Sequence, residues 1–308
     1  MVLYFKNKFF PKGSFRHATG VAFDSEKAFF ASGCNDGGSI HFATIPNTSF
    51  TDLTEWVAKS FGDTNPVEVN YVPGKCYKRI WKPLVCSGTL YKTISQEKLN
   101  ESFVALRILL NKLESIFETI EPNQSNLFVH GHKIRELLLL ACMEVESSWS
   151  SVLKENNYNT ANQKLDTNDY IKLKSPMLLD GYELTLRAYP NSHVFNPFEN
   201  WNNSAPTKTL GWYDAYNQAK HNREENFKLA TLKNAIEAVG ATVVMFHAQY
   251  GSTGSFNKRL PIISNFFKIT TVGFKKYEKD FYIPKIDLHE DSNQPAPLMD
   301  WEQTDYPF

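Results

Sequence analysis

The sequence predicts an α+β protein, with a small mainly-β N-terminal region, a helical core interrupted by a β insertion, and a strand-bearing tail. Three observations carry this. Up to about residue 95, apolar residues fall in short runs cut by Gly, Pro and Asn. From Ser95 they recur instead every three or four positions, the period of an amphipathic helix. Between about residues 155 and 210 the short-run pattern returns, and helical spacing then resumes.

In residues 1–94, the turn signals GCNDGG (33–38), Pro46-Asn47, Asn65-Pro66 and Pro73-Gly74 punctuate the chain at strand-like intervals. SIHFATI (39–45) and VEVNYV (67–72) read as strands, and TDLTEWVAKSF (51–61) as one short helix opened by a Thr or Asp cap. In the next segment Leu99, Phe103, Leu106, Leu110, Leu113 and Phe117 predict a helix over 95–120. Ser95 is its cap and Glu97 lies in its electropositive first turn, while Pro122 disfavours helix at the residue before it. A second helix over 126–154 carries Ile134, Leu137, Leu138, Ala141, Val145, Trp149 and Val152, and its run LLLLACM marks it as central and buried on most sides.

The insertion, about 155–210, contains YIKLK (170–174), MLL (177–179) and YELTLRAY (182–189), read as strands joined by Ser175-Pro176 and Asp180-Gly181. Two more helices are expected over 210–221 and 225–249, the last stopped by GSTGS (251–255). The tail, 266–308, has FFKITTVGF (266–274) and KDFYIP (279–284) as strand candidates. The organisation expected is therefore 1–94, a helical domain over 95–265, and the tail.

The 33 basic and 33 acidic side chains cancel, so nothing draws the whole chain toward nucleic acid or anionic lipid, although a neutral total is compatible with a basic groove. Cys34, Cys76, Cys86 and Cys142 show no paired spacing and read as reduced thiols of a cytoplasmic protein. No window reaches the 18 or so apolar residues of a membrane span, and the N-terminus lacks a signal-type core. Neither a phosphate-binding Gly-rich loop nor a hydrolase or kinase signature is present. The HGH of 130–132 has no Asp, Glu or Cys at ligand spacing, so it reads as a loop leading into a helix. Neither metal nor cofactor is expected.

The densest polar constellation is WYDAYNQAKHNR (212–223). Helical spacing puts Tyr213, Asn217 and Lys220 on one face with Tyr216 and His221 alongside, and Arg223 just beyond. Glu144 and Glu146 of the preceding long helix are the carboxylates expected to face this cluster across the core, since a buried carboxylate needs a partner. The alternative is structural: the tyrosines pack inward while Asn217 and His221 hold the insertion.

The string Tyr-Asn-x-x-Lys-His-x-Arg (216–223), followed by Phe227, Ala230-Thr231 and a small-residue helix, resembles the HEPN superfamily over roughly residues 125–250. HKIRELLLLACMEVESSW (132–149), with Arg135, Glu136, Glu144 and Glu146 set into an apolar helix, belongs to the same pattern. The resemblance implies an antiparallel up-and-down bundle, often dimeric, and RNA-directed activity in stress or phage defence. Many such proteins are metal-independent endoribonucleases in which an Arg and a His meet at the dimer cleft. Carried over, His221 would be the acid/base and Lys220 or Arg223 would hold the phosphate; Tyr213, Tyr216, Asn217, Glu144 and Glu146 are the candidate binding residues. The sequence departs from the family at one point: Tyr216 and Asn217 stand five and four residues before His221, where the usual Arg is missing. The other reading of the resemblance is a non-catalytic binding or scaffold protein for RNA, a nucleotide or a protein partner.

Overall fold

The structure, a computed structural model, describes residues 1–6, 8, 19–24, 28–34, 40–69, 72, 74–82, 94–159, 164–191, 193–251, 260–271, 282 and 301–308. It is mixed α and β, and it divides into two units. One comprises residues 1–76, 82–93 and 276–304; the other, 77–81, 94–275 and 305–308.

In the first unit, β1 (Val2–Lys6), β2 (Thr19–Asp24), β3 (Ala28–Cys34), β4 (Ile40–Pro46) and β5 (Val67–Glu68) form an antiparallel sheet of order β4-β3-β2-β1-β5. Side chains alternate across it. Leu3, Phe5, Ala22, Phe29 and Ala31 pack on one face against Leu53, Trp56 and Val57 of α1 (Leu53–Phe61), while Val2, Val21, Phe23, Ala28 and Phe30 are buried on the other. Asp52 caps α1 by accepting from the Glu55 N–H at 2.8 Å, and Gly62 ends it at φ 74°. β6 (Lys75–Tyr77) and β10 (Glu302–Thr304) form a separate two-stranded sheet. Of the strand expected over 67–72, Val67 and Glu68 pair with β1 and the Val69 N–H donates to the Val2 carbonyl at 2.9 Å, while residues 70 and 71 lie outside the described residues. The strand expected over 279–284 lies outside the described residues apart from Tyr282.

The second unit is built on α2 (Gln96–Phe117), α3 (His132–Glu155), α5 (Gly211–His221) and α7 (Leu232–Tyr250), with α4 (Thr167–Tyr170) and α6 (Arg223–Asn226) as single turns. Ser95 caps α2, as the sequence predicts. Ion pairs set the directions. Lys98 meets Glu155 at one end of α2 and Lys112 meets Glu136 at the other, so α2 and α3 are antiparallel. Tyr213 reaches Glu146 while Arg135 reaches the Ala219 carbonyl, so α5 is antiparallel to α3 as well. His130 bridges Thr231 where α3 and α7 begin, and Glu155 and Gln249 share Arg79 near their ends, so these two are parallel. The four long helices therefore alternate in direction along the chain. α7 is buried almost throughout, as its Ala, Gly and Val content allows.

Two expectations are corrected. YIKLK and MLL are not strands. Asp166 and Asp169 form a reciprocal capping box that starts helix at Thr167, which continues as a 3-10 turn to Leu173. Leu179–Gly181 is a second 3-10 turn after Leu178 at φ 53°. Of the three expected strands, YELTLRAY alone forms one, β7 (Tyr182–Leu186), which pairs between β8 (Val194–Phe195) and β9 (Phe267–Thr271), the latter following the short helix α8 (Leu260–Phe266). The helix expected over 225–249 is broken, because Thr231 adopts extended backbone and caps a new helix at Leu232.

An aromatic core fixes the insertion onto α3. Trp149 stacks on Trp201 with ring centroids 5.0 Å apart and packs against Tyr170, Trp212 and Tyr213. Trp201 and Trp212 donate their indole N–H groups to the Pro206 and Pro197 carbonyls, at 3.0 and 2.8 Å. The proline-rich loop is thereby held by the two rings beneath it.

Candidate functional site

The predicted constellation divides into a buried seam and an exposed end. In the seam, the buried Tyr213 hydroxyl donates to Glu146 Oε1, and the Tyr216 hydroxyl lies 3.4 Å from Glu146 Oε2. Lys220 Nζ donates to the Tyr216 hydroxyl at 3.0 Å, and its ammonium sits 5.0 Å from that ring's centroid. Burial, then the bond to Glu146, pushes the Tyr213 phenol far up; burial pushes Tyr216 up as well. The bond to Tyr216 raises Lys220. Cys142, fully buried beside Glu146, is held a protonated thiol by burial above all. Asn217 turns back on its own helix, donating to the Tyr213 carbonyl at 3.0 Å. At this seam the structural alternative describes the tyrosines.

The exposed end gathers the start of α3, the end of α5, α6 and the turn Phe227–Leu229. Arg135 clamps the Ala219 carbonyl through Nε and Nη2, at 3.3 and 3.0 Å, which holds the last turn of α5 over the first turns of α3. His130 and His132 flank the Phe227 ring, with centroids 5.6 and 4.8 Å away. Lys133, His221, Arg223 and Lys228 are exposed here, and Phe128 is 71% exposed; Lys220 is exposed too, but its ammonium is turned to Tyr216 in the seam. The carboxylates among them are Glu136, already paired with Lys112 at 2.6 Å, and Glu224 and Glu225. Asn222 caps α6, so Arg223 stands on a different helical turn from His221.

Glu144 does not face this cluster. Glu144 and Glu146 are two residues apart on a helix and point to different sides. Glu144 lines a cleft between α2, α3 and α7 of about 400 Å³, closed at one end by Arg79. Arg79, at φ 54°, donates to Glu155 at 2.9 Å, Gln249 at 2.8 Å and Tyr250 at 3.3 Å. Burial holds the Glu144 carboxyl above its ordinary range. Sequence reasoning missed this cleft, though a signal was present: Glu144, Ser147, Ser148, Ser151 and Glu155 recur at helical spacing beside the apolar stripe.

Cys76 and Cys142 are buried, and among the described residues no group of three His, Cys, Asp or Glu could hold a metal ion. No described helix is long and apolar enough to cross a membrane. No family model, curated protein or solved structure significantly matches the chain.

Proposed function

We propose that this chain is a HEPN-like protein whose basic, aromatic bundle end binds single-stranded RNA. The observation that carries the reading is that the exposed Lys133, Arg223, Lys228 and Phe128 stand within a few residues of the His130–Phe227–His132 stack, on the elements gathered at that end. Phosphates call for cations and unpaired bases for stacking platforms, and this end offers both without global net charge. The HEPN-like reading of the bundle is supported by four helices of alternating direction, with the WYDAYNQAKHNR helix lying antiparallel on the charged helix α3.

Metal-free cleavage would need a proton acceptor near a ribose hydroxyl and a cation for the developing phosphorane charge. His221 is the acid/base candidate and Arg223 the phosphate ligand. A second reading, binding without cleavage, is favoured by one observation: Tyr216, five residues before His221 where the family carries Arg, lies against Glu146 as part of the packing.

Both readings are tested by incubating the full chain, in EDTA, with a labelled RNA strand longer than the roughly 4–16 nucleotides of a single-strand site. Anisotropy should show binding that weakens with salt, and Arg223→Ala with Lys228→Ala should flatten the salt slope by about one unit per lost phosphate contact. Cleavage lost in His221→Ala with binding kept establishes the nuclease. Binding without cleavage by either protein leaves the non-catalytic form. Failure to bind RNA at low salt sinks the whole proposal.

A further inference from the structure

The cleft between α2, α3 and α7 is independent of the RNA reading, and its chemistry is one-sided. Its positive end is already satisfied, because Arg79 and Lys98 both bond Glu155, at 2.9 and 2.8 Å, and Arg79 bonds Gln249 and Tyr250 besides. On the α7 wall the Thr242 hydroxyl and the Gln249 amide donate to the Ala238 and Met245 carbonyls. What stays open is acceptor capacity. Among the described residues Glu144, half-buried, and Glu101, exposed across from it on α2, take no hydrogen bond or ion pair, and the hydroxyls of Ser147, Ser148 and Ser151 follow along α3.

A phosphate or carboxylate ligand would meet Glu101 and Glu144 head-on, and a neutral sugar would leave the half-buried Glu144 charge uncompensated. A ligand of ammonium groups carries donors only and suits every open position. Ala105 and Phe246 in the cleft lining give apolar contact to methylenes between those ammoniums. Glu101, Ala105 and Glu144 also line a neighbouring groove of about 500 Å³ whose walls include Val104, Ile108, Leu109 and Leu140. Glu144 and Ser151 are separated by about 10 Å of helix rise, comparable with the reach of an extended aliphatic triamine.

We propose that this cleft is a binding site for an aliphatic polyamine, with one terminal ammonium between Glu101 and Glu144, its other ammoniums along the Ser147, Ser148 and Ser151 hydroxyls, and its methylenes in the cleft between them.

The test is isothermal titration of the full chain, nuclease-treated and free of RNA by absorbance, with spermidine at near-physiological salt. An alkane diol of matched length and MgCl2 serve as probes for uncharged and merely cationic ligands. One saturable site is expected for spermidine. Glu144→Gln should weaken it roughly tenfold or more, the worth of one charge-assisted hydrogen bond. Glu101→Gln, whose exposed side chain carries no fold risk, should weaken it in the same direction, and Glu136→Gln at the far end of α3 should leave it unchanged. Absence of spermidine binding, equal competition by Mg²⁺, or full affinity in both Glu144→Gln and Glu101→Gln would each overturn the proposal.

Discussion

The Tyr213 hydroxyl donates to the Glu146 carboxylate across the seam between α5 and α3, and this bond ties the two helices at the centre of the predicted polar motif. Tyr213 is 4% exposed, so its loss is not made good by water. Tyr213→Phe removes the donor and leaves Glu146 with only the longer contact to Tyr216. A bond to a charged acceptor is worth about 1.5–3 kcal/mol, and Tyr213→Phe should lower stability by about that much in urea unfolding. Tyr216→Phe, which breaks a 3.4 Å contact, should cost clearly less. Equal losses would show that Glu146 is held by the pair as a unit.

Trp149 is fully buried, yet its indole N–H finds no hydrogen-bond partner among the described residues. Its value lies in the rings around it: Trp201 stacked at 5.0 Å, Tyr170 at 5.2 Å and Tyr213 at 5.5 Å. Trp149→Ala should therefore cost about 3–5 kcal/mol, the range for emptying an aromatic site. Trp149→Phe keeps a ring and removes an unsatisfied donor, so its penalty should be a minor fraction of that. Denaturant midpoints of the two variants check the ordering, and a Phe variant as unstable as the Ala variant would point to a hydrogen bond the indole makes in solution.

What is legible in the sequence is local. Ser95 and Asp52 announce helix starts because capping acts over three residues, and the stripe from Leu99 to Leu113 is periodic enough to fix α2. The segment 166–181 misleads because short apolar runs such as YIKLK suit strand or helix equally, and here the capping box at Asp166 and the burial of Leu173, Met177 and Leu179 decide it. At the site, the Glu146–Tyr213 encounter follows from pairing two amphipathic helices. The place of Arg79 does not: it meets Glu155 across 76 residues and Gln249 across 170, and no local pattern encodes such closures.

Gly251 ends α7 at φ 82°, and a Cβ there would run into the Trp81 indole. Trp81 is itself pinned by its backbone N–H to the Ala248 carbonyl at 2.8 Å, so the ring has little freedom to retreat. Gly251→Ala should destabilise by about 1–3 kcal/mol from backbone strain and the clash together. Gly211, the first residue of α5, offers the opposite case: a Cβ added there would meet nothing within 4 Å, and its φ is not positive. Gly211→Ala should stabilise by about 0.4–1 kcal/mol through the unfolded chain. Thermal melts of the two single variants should move in opposite directions.

His247 supplies the pH dependence. It is 5% exposed on α7, and its Nδ1 lies 3.0 Å from the Val243 carbonyl, so Nδ1 carries the proton and donates. Burial lowers its pKa below the ordinary imidazole value, and the bond to Val243 offsets only part of that. The unfolded chain, titrating near pH 6.5, therefore takes up a proton before the folded chain does. Stability from neutral His247 is fully present above about pH 7.5 and is lost as pH falls through the unfolded value toward the lower folded one. Melting temperature should thus decline between about pH 7.5 and 5.5, before most carboxylates titrate. His247→Gln should flatten that decline, leaving the smaller part due to His193, whose pKa burial also lowers. A slope unchanged in His247→Gln would place the acid sensitivity elsewhere.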